Sequence, residues 1–177
     1  MMTSALQARQ DWDLTMLDDL KGENMPGANM QGESSLKLDD QLCFGLYAAT
    51  HAMTRAYRPL LNELSLTYSQ FLVLMALWER DGQTVSSLGD TLFLDSGTLS
   101  PVLKRLETAG LITKTRQRHD ERQVEIGLTE QGRALQGAAA LVRQKVACRV
   151  GMEEKEIRAL RRNLDLLLVA LNSEISG

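Results

Sequence analysis

Two sulfur atoms hold most of the reactive chemistry that this 177-residue chain offers. Reduction of a peroxide needs a thiolate. Cys43 falls in the first turns of a helix whose pattern opens near Asp39, where unpaired N–H groups and the helix dipole favour negative charge on sulfur. A hydroperoxide would convert that thiolate to a sulfenic acid. Cys148 lies far along the chain, the two cysteines match no zinc spacing, and a reducing cytosol argues against a standing disulfide. The plainer alternative is that both are small buried apolar residues. His51 and His119 are the two histidines. Neither has metal-ligand spacing, and no nucleophile-base-acid set or phosphate loop accompanies them, so they read as surface residues. No cofactor, metal or catalytic turnover is expected.

A second set of residues suits nucleic acid. A helix entering the major groove needs small polar residues at its leading end, so that backbone and side chains approach base edges and phosphates together. Ser96, Gly97, Thr98 and Ser100 supply that end, and Lys104 and Arg105 follow where long cationic side chains could reach phosphate or guanine. Leu99, Val102, Leu103 and Leu106 form the inward face, and Pro101 can kink the second turn. Arg118 and Arg122 sit on the charged tip of a thin hairpin that can deliver a guanidinium into a narrow minor groove; a solvated turn is the plainer reading of such a tip. The net charge of −3 does not oppose this. Residues 1 to 40 carry three basic and eight acidic side chains, whereas residues 104 to 122 carry six basic and three acidic ones, so a DNA-facing surface belongs in the second stretch.

The elements that must position these groups follow from periodicity. Apolar residues make up 44% of the chain and aromatic ones 5%, which favours a mainly helical protein with little sheet. Residues 1–36 show no sustained period beyond a weak helical stretch at 6–20 and read as a mobile acidic tail. Leu42, Cys43, Leu46, Tyr47, Ala49, Met53 and Tyr57 step by three and four, giving an amphipathic helix that Pro59 interrupts, with Leu60, Leu61 and Leu64 in a short continuation. Thr67 and Gln70 form a capping-box pattern ahead of a run from Phe71 to Trp78 that is apolar nearly all round, the buried centre of the domain.

A short helix from Thr84 to Phe93, a turn at 94–97 carrying a helix cap, and a second helix from Thr98 to Thr108 come next, ended by Ala109-Gly110. Two strands, Leu111 to Arg116 and Gln123 to Leu128, flank the charged tip. Thr129 caps a long helix reaching about Val150. In the last helix Ile157, Leu160, Leu164, Leu167, Leu168, Leu171 and Ile175 form a stripe too long for a small domain to cover alone. A second subunit covers it in one reading, and the helix folds back on its own core in the other. The order is that of a winged helix-turn-helix. The organisation expected is a tail (1–36), N-terminal dimerisation and sensor helices (37–66), a DNA-binding domain (67–130) and C-terminal dimerisation helices (131–177).

Tyr68-Ser-Gln-Phe-Leu-Val-Leu, the segment Leu94-Asp-Ser-Gly-Thr-Leu-Ser-Pro-Val-Leu-Lys-Arg-Leu-Glu107, Ala109-Gly-Leu111, Asp120-Glu-Arg122 and Leu128-Thr-Glu-Gln-Gly132 together resemble the MarR repressors, from about Leu38 to the C-terminus. Leu38-Asp-Asp-Gln-Leu-Cys-Phe44 and the Leu-Asp-Ser-Gly-Thr-Leu segment resemble more specifically the organic-hydroperoxide sensors called OhrR. The acidic tail departs from the usual short N-terminus. The resemblance implies a homodimeric repressor on a pseudo-palindromic operator in double-stranded DNA, with organic hydroperoxide as effector. It implies that Asp120 orients Arg122, and that Tyr57 and Tyr68, from the other subunit, serve the reactive Cys43. Tyr47 is a weaker third candidate. It also implies that Cys148 is the resolving cysteine of a two-cysteine branch, bridging opposite subunits and thereby releasing DNA. Preference for organic peroxide, with Phe44 and Leu46 near Cys43, is implied in the same way.

Two rivals remain at this level. A MarR-type repressor relieved by a reversibly bound phenolic ligand would leave the cysteines inert. A thiol peroxidase would need a strand-rich scaffold that this pattern does not supply. No apolar stretch reaches the roughly 18 residues of a membrane span, and the N-terminus lacks a signal-peptide pattern, so a cytoplasmic protein is expected.

Overall fold

The structure, a computed structural model, describes residues 36–117 and 120–173, except for the side chains of 117, 120–123 and 173. The expected weak helix at 6–20 and the tail 1–36 fall, apart from Leu36, outside the described residues. The chain divides between Leu46 and Tyr47 into two compact units. The described part of the first holds a single 3-10 turn, Leu38–Asp40, and the opening of helix α1 (Leu42–Asn62).

α1 departs from expectation at both ends. Its start moves from near Asp39 to Leu42, because Asp39 and Asp40 close the 3-10 turn and Gln41 takes an extended conformation. Pro59 does not interrupt it: the helix continues to Asn62. A mid-helix proline lacks an N–H and crowds the carbonyl four residues back, which costs roughly 3 kcal/mol in an isolated helix. Leu60 and Leu61, immediately beyond, are buried in the core, and their packing holds the last turn against that defect.

Thr67 then accepts from the Gln70 N–H at 3.3 Å while the Gln70 side chain accepts from the Thr67 N–H at 2.8 Å. This capping box satisfies two orphan donors and opens α2 (Tyr68–Glu79). Phe71, Val73, Leu74, Ala76 and Leu77 of α2 are buried, and later helices and a strand pack around it, as its all-round apolar pattern requires. Its C-terminal carbonyls are satisfied by buried Gln83, whose Nε2 donates to Ala76 O at 2.9 Å and Arg80 O at 2.8 Å. Gln83 and Thr84 form β1, a third strand that the sequence reading lacked, since two residues carry no period.

Thr84 caps α3 (Val85–Leu92), and Asp95 caps α4 (Ser96–Thr108), which therefore begins two residues before the expected Thr98. Between them Phe93 is left-handed, with φ 54° and ψ 42°, a conformation that costs an L-residue roughly 1–2 kcal/mol. The turn is tight: Leu94 N–H donates to Gly89 O at 2.9 Å, and a Cβ on Gly89 would come within 2.8 Å of the Leu94 oxygen. β2 (Ile112–Gln117) and β3 (Asp120–Leu128) follow, and the antiparallel sheet runs β1-β3-β2. Thr129 caps α5 (Glu130–Val150), and α6 (Glu154–Ser173) ends the described chain.

Where α5 begins, three elements meet. The Thr129 N–H donates to Leu111 O at 3.1 Å, and Trp78 Nε1 donates to Gly132 O at 2.9 Å. Asp81 accepts from the Leu128 N–H at 2.8 Å and the Gly82 N–H at 2.9 Å, and pairs with Arg133. Burial pushes the Asp81 carboxyl up, but these donors and the Arg133 charge outweigh it and hold it below its ordinary value. A Cβ on Gly132 would overlap the Leu111 carbonyl oxygen. Overpacking against backbone costs roughly 1–3 kcal/mol, so Gly132→Ala is expected to lower the melting temperature by roughly 2–12 °C. An unchanged calorimetric midpoint would show that this contact does not constrain the fold.

Candidate functional site

The leading end of α4 is built by Asp95. Its Oδ1 accepts from the Thr98 N–H at 2.9 Å, and the Thr98 hydroxyl donates to its other oxygen at 2.7 Å. These bonds, the hydroxyl's first, hold the Asp95 carboxyl below the ordinary range. The Ser100 hydroxyl turns back to Ser96 O at 2.6 Å. Ser96, Gly97, Thr98, Ser100, Lys104 and Arg105 are all exposed, whereas Leu99, Leu103 and Leu106 are buried and Val102 half-buried. The helix thus shows one polar, cationic face and anchors the other, and it accommodates Pro101 without ending. Pro101, Lys104, Arg105, Thr108 and Ala109 line a shallow, open concavity on the exposed face.

The hairpin is tied to this helix by an ion pair between Lys114 and Glu107 at 3.1 Å. Toward the tip the β2–β3 register shifts between Arg116 and Gln117, so that Gln117 stands opposite Asp120. Arg118 and His119 lie outside the described residues. Asp120 and Arg122 fall in β3, and the expectations for their side chains likewise lie outside what is described.

Cys43 is the second residue of α1 and is exposed; Cys148, near the end of α5, is exposed too. Among the described residues both thiols are thus exposed, where the plain alternative had them as small buried apolar residues. Gly45 N–H donates to Gln41 O at 3.1 Å, so Gln41 occupies the capping position and Cys43 sits within the first turn, where backbone N–H groups have no intrahelical acceptor.

Tyr57 and Tyr68, on different helices, come together with ring centroids 5.3 Å apart. Phe71 packs against Tyr57 at 5.6 Å, and Trp78 against Phe71 at 6.5 Å. Burial raises the pKa of both phenols; for Tyr57 the neighbouring Tyr68 adds to the rise and the Arg143 charge opposes it. Both hydroxyls are consequently protonated donors at neutral pH. Tyr47 instead packs on the His51 ring at 4.3 Å and is 62% exposed. Among the described residues no cluster of histidine, cysteine or carboxylate groups could hold a metal ion, and no helix is long and apolar enough to cross a membrane.

α6 has no buried residue among those described, and Leu160, Leu166, Leu168, Val169 and Leu171 are exposed on it. Ile157, Leu164 and Leu167 of the expected stripe are half-buried and Leu160, Leu168 and Leu171 exposed, so the described core does not cover the stripe. Phe93, two residues before the cap of α4, is 59% exposed.

A family profile described as "Transcriptional regulator SarA/Rot" matches residues 55–137. The chain is 54% identical over 127 residues to the HTH-type transcriptional regulator TtmR of Methylorubrum extorquens, covering 72% of this chain and 65%, just under two thirds, of that protein. It is 43% identical over 139 residues to the organic hydroperoxide resistance transcriptional regulator of Bacillus subtilis, covering 78% of this chain and 95% of that one. AbfR of Staphylococcus epidermidis in its reduced form bound to DNA superposes with a TM-score of 0.64 at 37% identity, covering 76% of this chain and 93% of AbfR; the disulfide form of AbfR superposes at 0.55.

The paired phenols can be titrated by absorbance near 295 nm. A component ionising above about pH 10 is expected in the wild type, and it should disappear in the Tyr57→Phe, Tyr68→Phe double variant. Because the folded pKa is raised, the stability linked to these phenols is complete below their ordinary pKa and lost as pH climbs through the folded value. Retention of the late component in the double variant would refute the burial argument.

Proposed function

The chain belongs to the MarR family of transcriptional regulators, of the OhrR type, and from that premise we propose that it is a dimeric repressor released from operator DNA by oxidation of Cys43. The observation that carries this reading is an exposed thiol in the first turn of α1 within a chain that also holds a half-buried, protonated phenol pair. Peroxide reduction requires the thiolate, and first-turn N–H groups and phenol hydroxyls are donors suited to that anion. In the dimer the phenols come from the partner subunit.

The Cys43 thiolate attacks the outer oxygen of an organic hydroperoxide. The S–O bond forms, the O–O bond breaks, and the alkoxide leaves and takes a proton as the alcohol. Sulfur is oxidised by two electrons and the peroxide reduced by two. The thiolate of the partner subunit's Cys148 then attacks the sulfenic sulfur; the S–S bond forms, the S–O bond breaks, and the hydroxide that leaves takes a proton to become water. The bond requires Cα atoms within about 7 Å, so closing it from a wider separation moves α5. The disulfide and DNA-bound forms in which AbfR has been solved support such a cycle, as does the hydroperoxide-resistance description of the Bacillus subtilis relative.

On DNA, Ser96, Gly97, Thr98 and Ser100 lead α4 into the major groove, and Lys104 and Arg105 reach phosphate or guanine. Arg118 and Arg122 enter the minor groove, with Asp120 orienting Arg122. One such module touches few bases, so two are needed on a pseudo-palindromic site. A second copy covering the exposed apolar residues of α6 supplies the other. Residues 37–66 and 131–177 are then the dimerisation segments around a DNA-binding domain at 67–130, in a cytoplasmic protein.

Operator binding measured before and after one equivalent of organic hydroperoxide tests this, with crosslinking read on a non-reducing gel. The wild type should lose binding and run as a disulfide dimer, while Cys43→Ser should do neither. If each subunit neutralises about four phosphates, log K should fall against log salt with a slope of roughly −7. Unchanged release by peroxide in Cys43→Ser would exclude the redox mechanism and favour a reversibly bound ligand.

A further inference from the structure

Phe93 stands at a position where glycine would be free of strain. Its left-handed φ of 54° falls in the turn between α3 and α4, where a Cβ on Gly89 would come within 2.8 Å of the Leu94 oxygen. Leu92 and Leu94 on either side are half-buried and pack against the core, but Phe93 itself is 59% exposed. An L-residue held left-handed normally either is small or gains burial in exchange. Here a large ring is held in that conformation with most of its surface in water.

Its location gives the ring a use. Asp95, two residues on, caps α4, and the exposed small residues Ser96, Gly97 and Thr98 follow directly. Lys104 and Arg105 lie further along the same helix, also exposed, so the helix that the ring precedes carries cations suited to a polyanion. We propose that Phe93 is a DNA-contacting residue, packing its ring on the apolar part of the duplex, deoxyribose carbons or a thymine methyl group, where the leading end of α4 enters the groove. The inference rests on the DNA-binding reading above and adds to it a contact that is apolar rather than ionic. Apolar contact to thymine methyl groups is one of the ways in which base identity is read. Neutralising no phosphate, it adds affinity without adding to the salt dependence.

The test uses the full-length reduced protein and duplexes that the wild type selects from a random-sequence pool. Phe93→Gly removes the ring and relieves the strain, so its circular dichroism and melting temperature should match or exceed those of the wild type. Its affinity for the selected duplexes should fall by about tenfold, equivalent to roughly 1.4 kcal/mol, while the slope of log K against log salt stays unchanged. Phe93→Tyr, which keeps the ring, should bind within about twofold of the wild type. Lys104→Ala serves as the contrast, with a shallower salt slope. Equal affinity of Phe93→Gly and wild type overturns the inference, and so does a loss accompanied by a shallower slope. If the wild type selects no duplex at all, it is the DNA-binding reading itself that fails.

Discussion

The first turn of α5 passes so close to the Leu111 carbonyl that only a residue without a Cβ fits at position 132. Around that contact the Thr129 N–H reaches Leu111 O, Trp78 Nε1 reaches Gly132 O, and Asp81 gathers the Leu128 N–H and Arg133. The base of the wing, the central helix α2 and the long helix α5 are thus joined by hydrogen bonds whose geometry leaves little slack. Close-packed interiors respond to displacement by switching arrangement rather than by stretching. In the proposed cycle a displacement of α5 would meet the base of the wing at this junction, and the Lys114–Glu107 pair lies between the wing and α4.

The same junction touches the aromatic row. Tyr68, Tyr57, Phe71 and Trp78 pack in succession, and the indole at its end is the one bonded to Gly132. The phenols of the proposed cycle are therefore linked through Phe71 to Trp78, whose indole bonds the first turn of α5. Cys148 lies sixteen residues beyond Gly132 on α5, a helix of 21 residues whose inner face is anchored by Ala139, Val142 and Val146.

Much of this was legible because it rests on local hydrogen-bond chemistry. Thr67 with Gln70 and Thr129 before Gly132 mark helix starts by residue type and spacing, and the three- and four-residue steps of Leu99, Leu103 and Leu106 mark an inward face. The exposed small residues opening α4 could be read the same way. What was not legible depends on contacts distant in sequence. β1 exists because β3 lies beside Gln83 and Thr84, and Pro59 stays helical because Leu60 and Leu61 are buried. The exposure of Cys43 and Cys148 and the meeting of Tyr57 with Tyr68 are products of tertiary structure. The left-handed backbone of Phe93 is not a preference of its residue type, so its residue type did not announce it.

The central claim is that oxidation at the thiols moves the two α4 helices of a dimer relative to each other. Pulsed dipolar spectroscopy between nitroxides carried on a non-cysteine residue introduced at Thr108, one in each subunit, measures that separation directly. One equivalent of organic hydroperoxide is predicted to shift the mean distance by more than roughly 2 Å, beyond the sub-ångström adjustments of a packed core, and Cys148→Ser to abolish the shift. An identical distance distribution in the reduced and oxidised wild type, under conditions where DNA is released, would contradict the account.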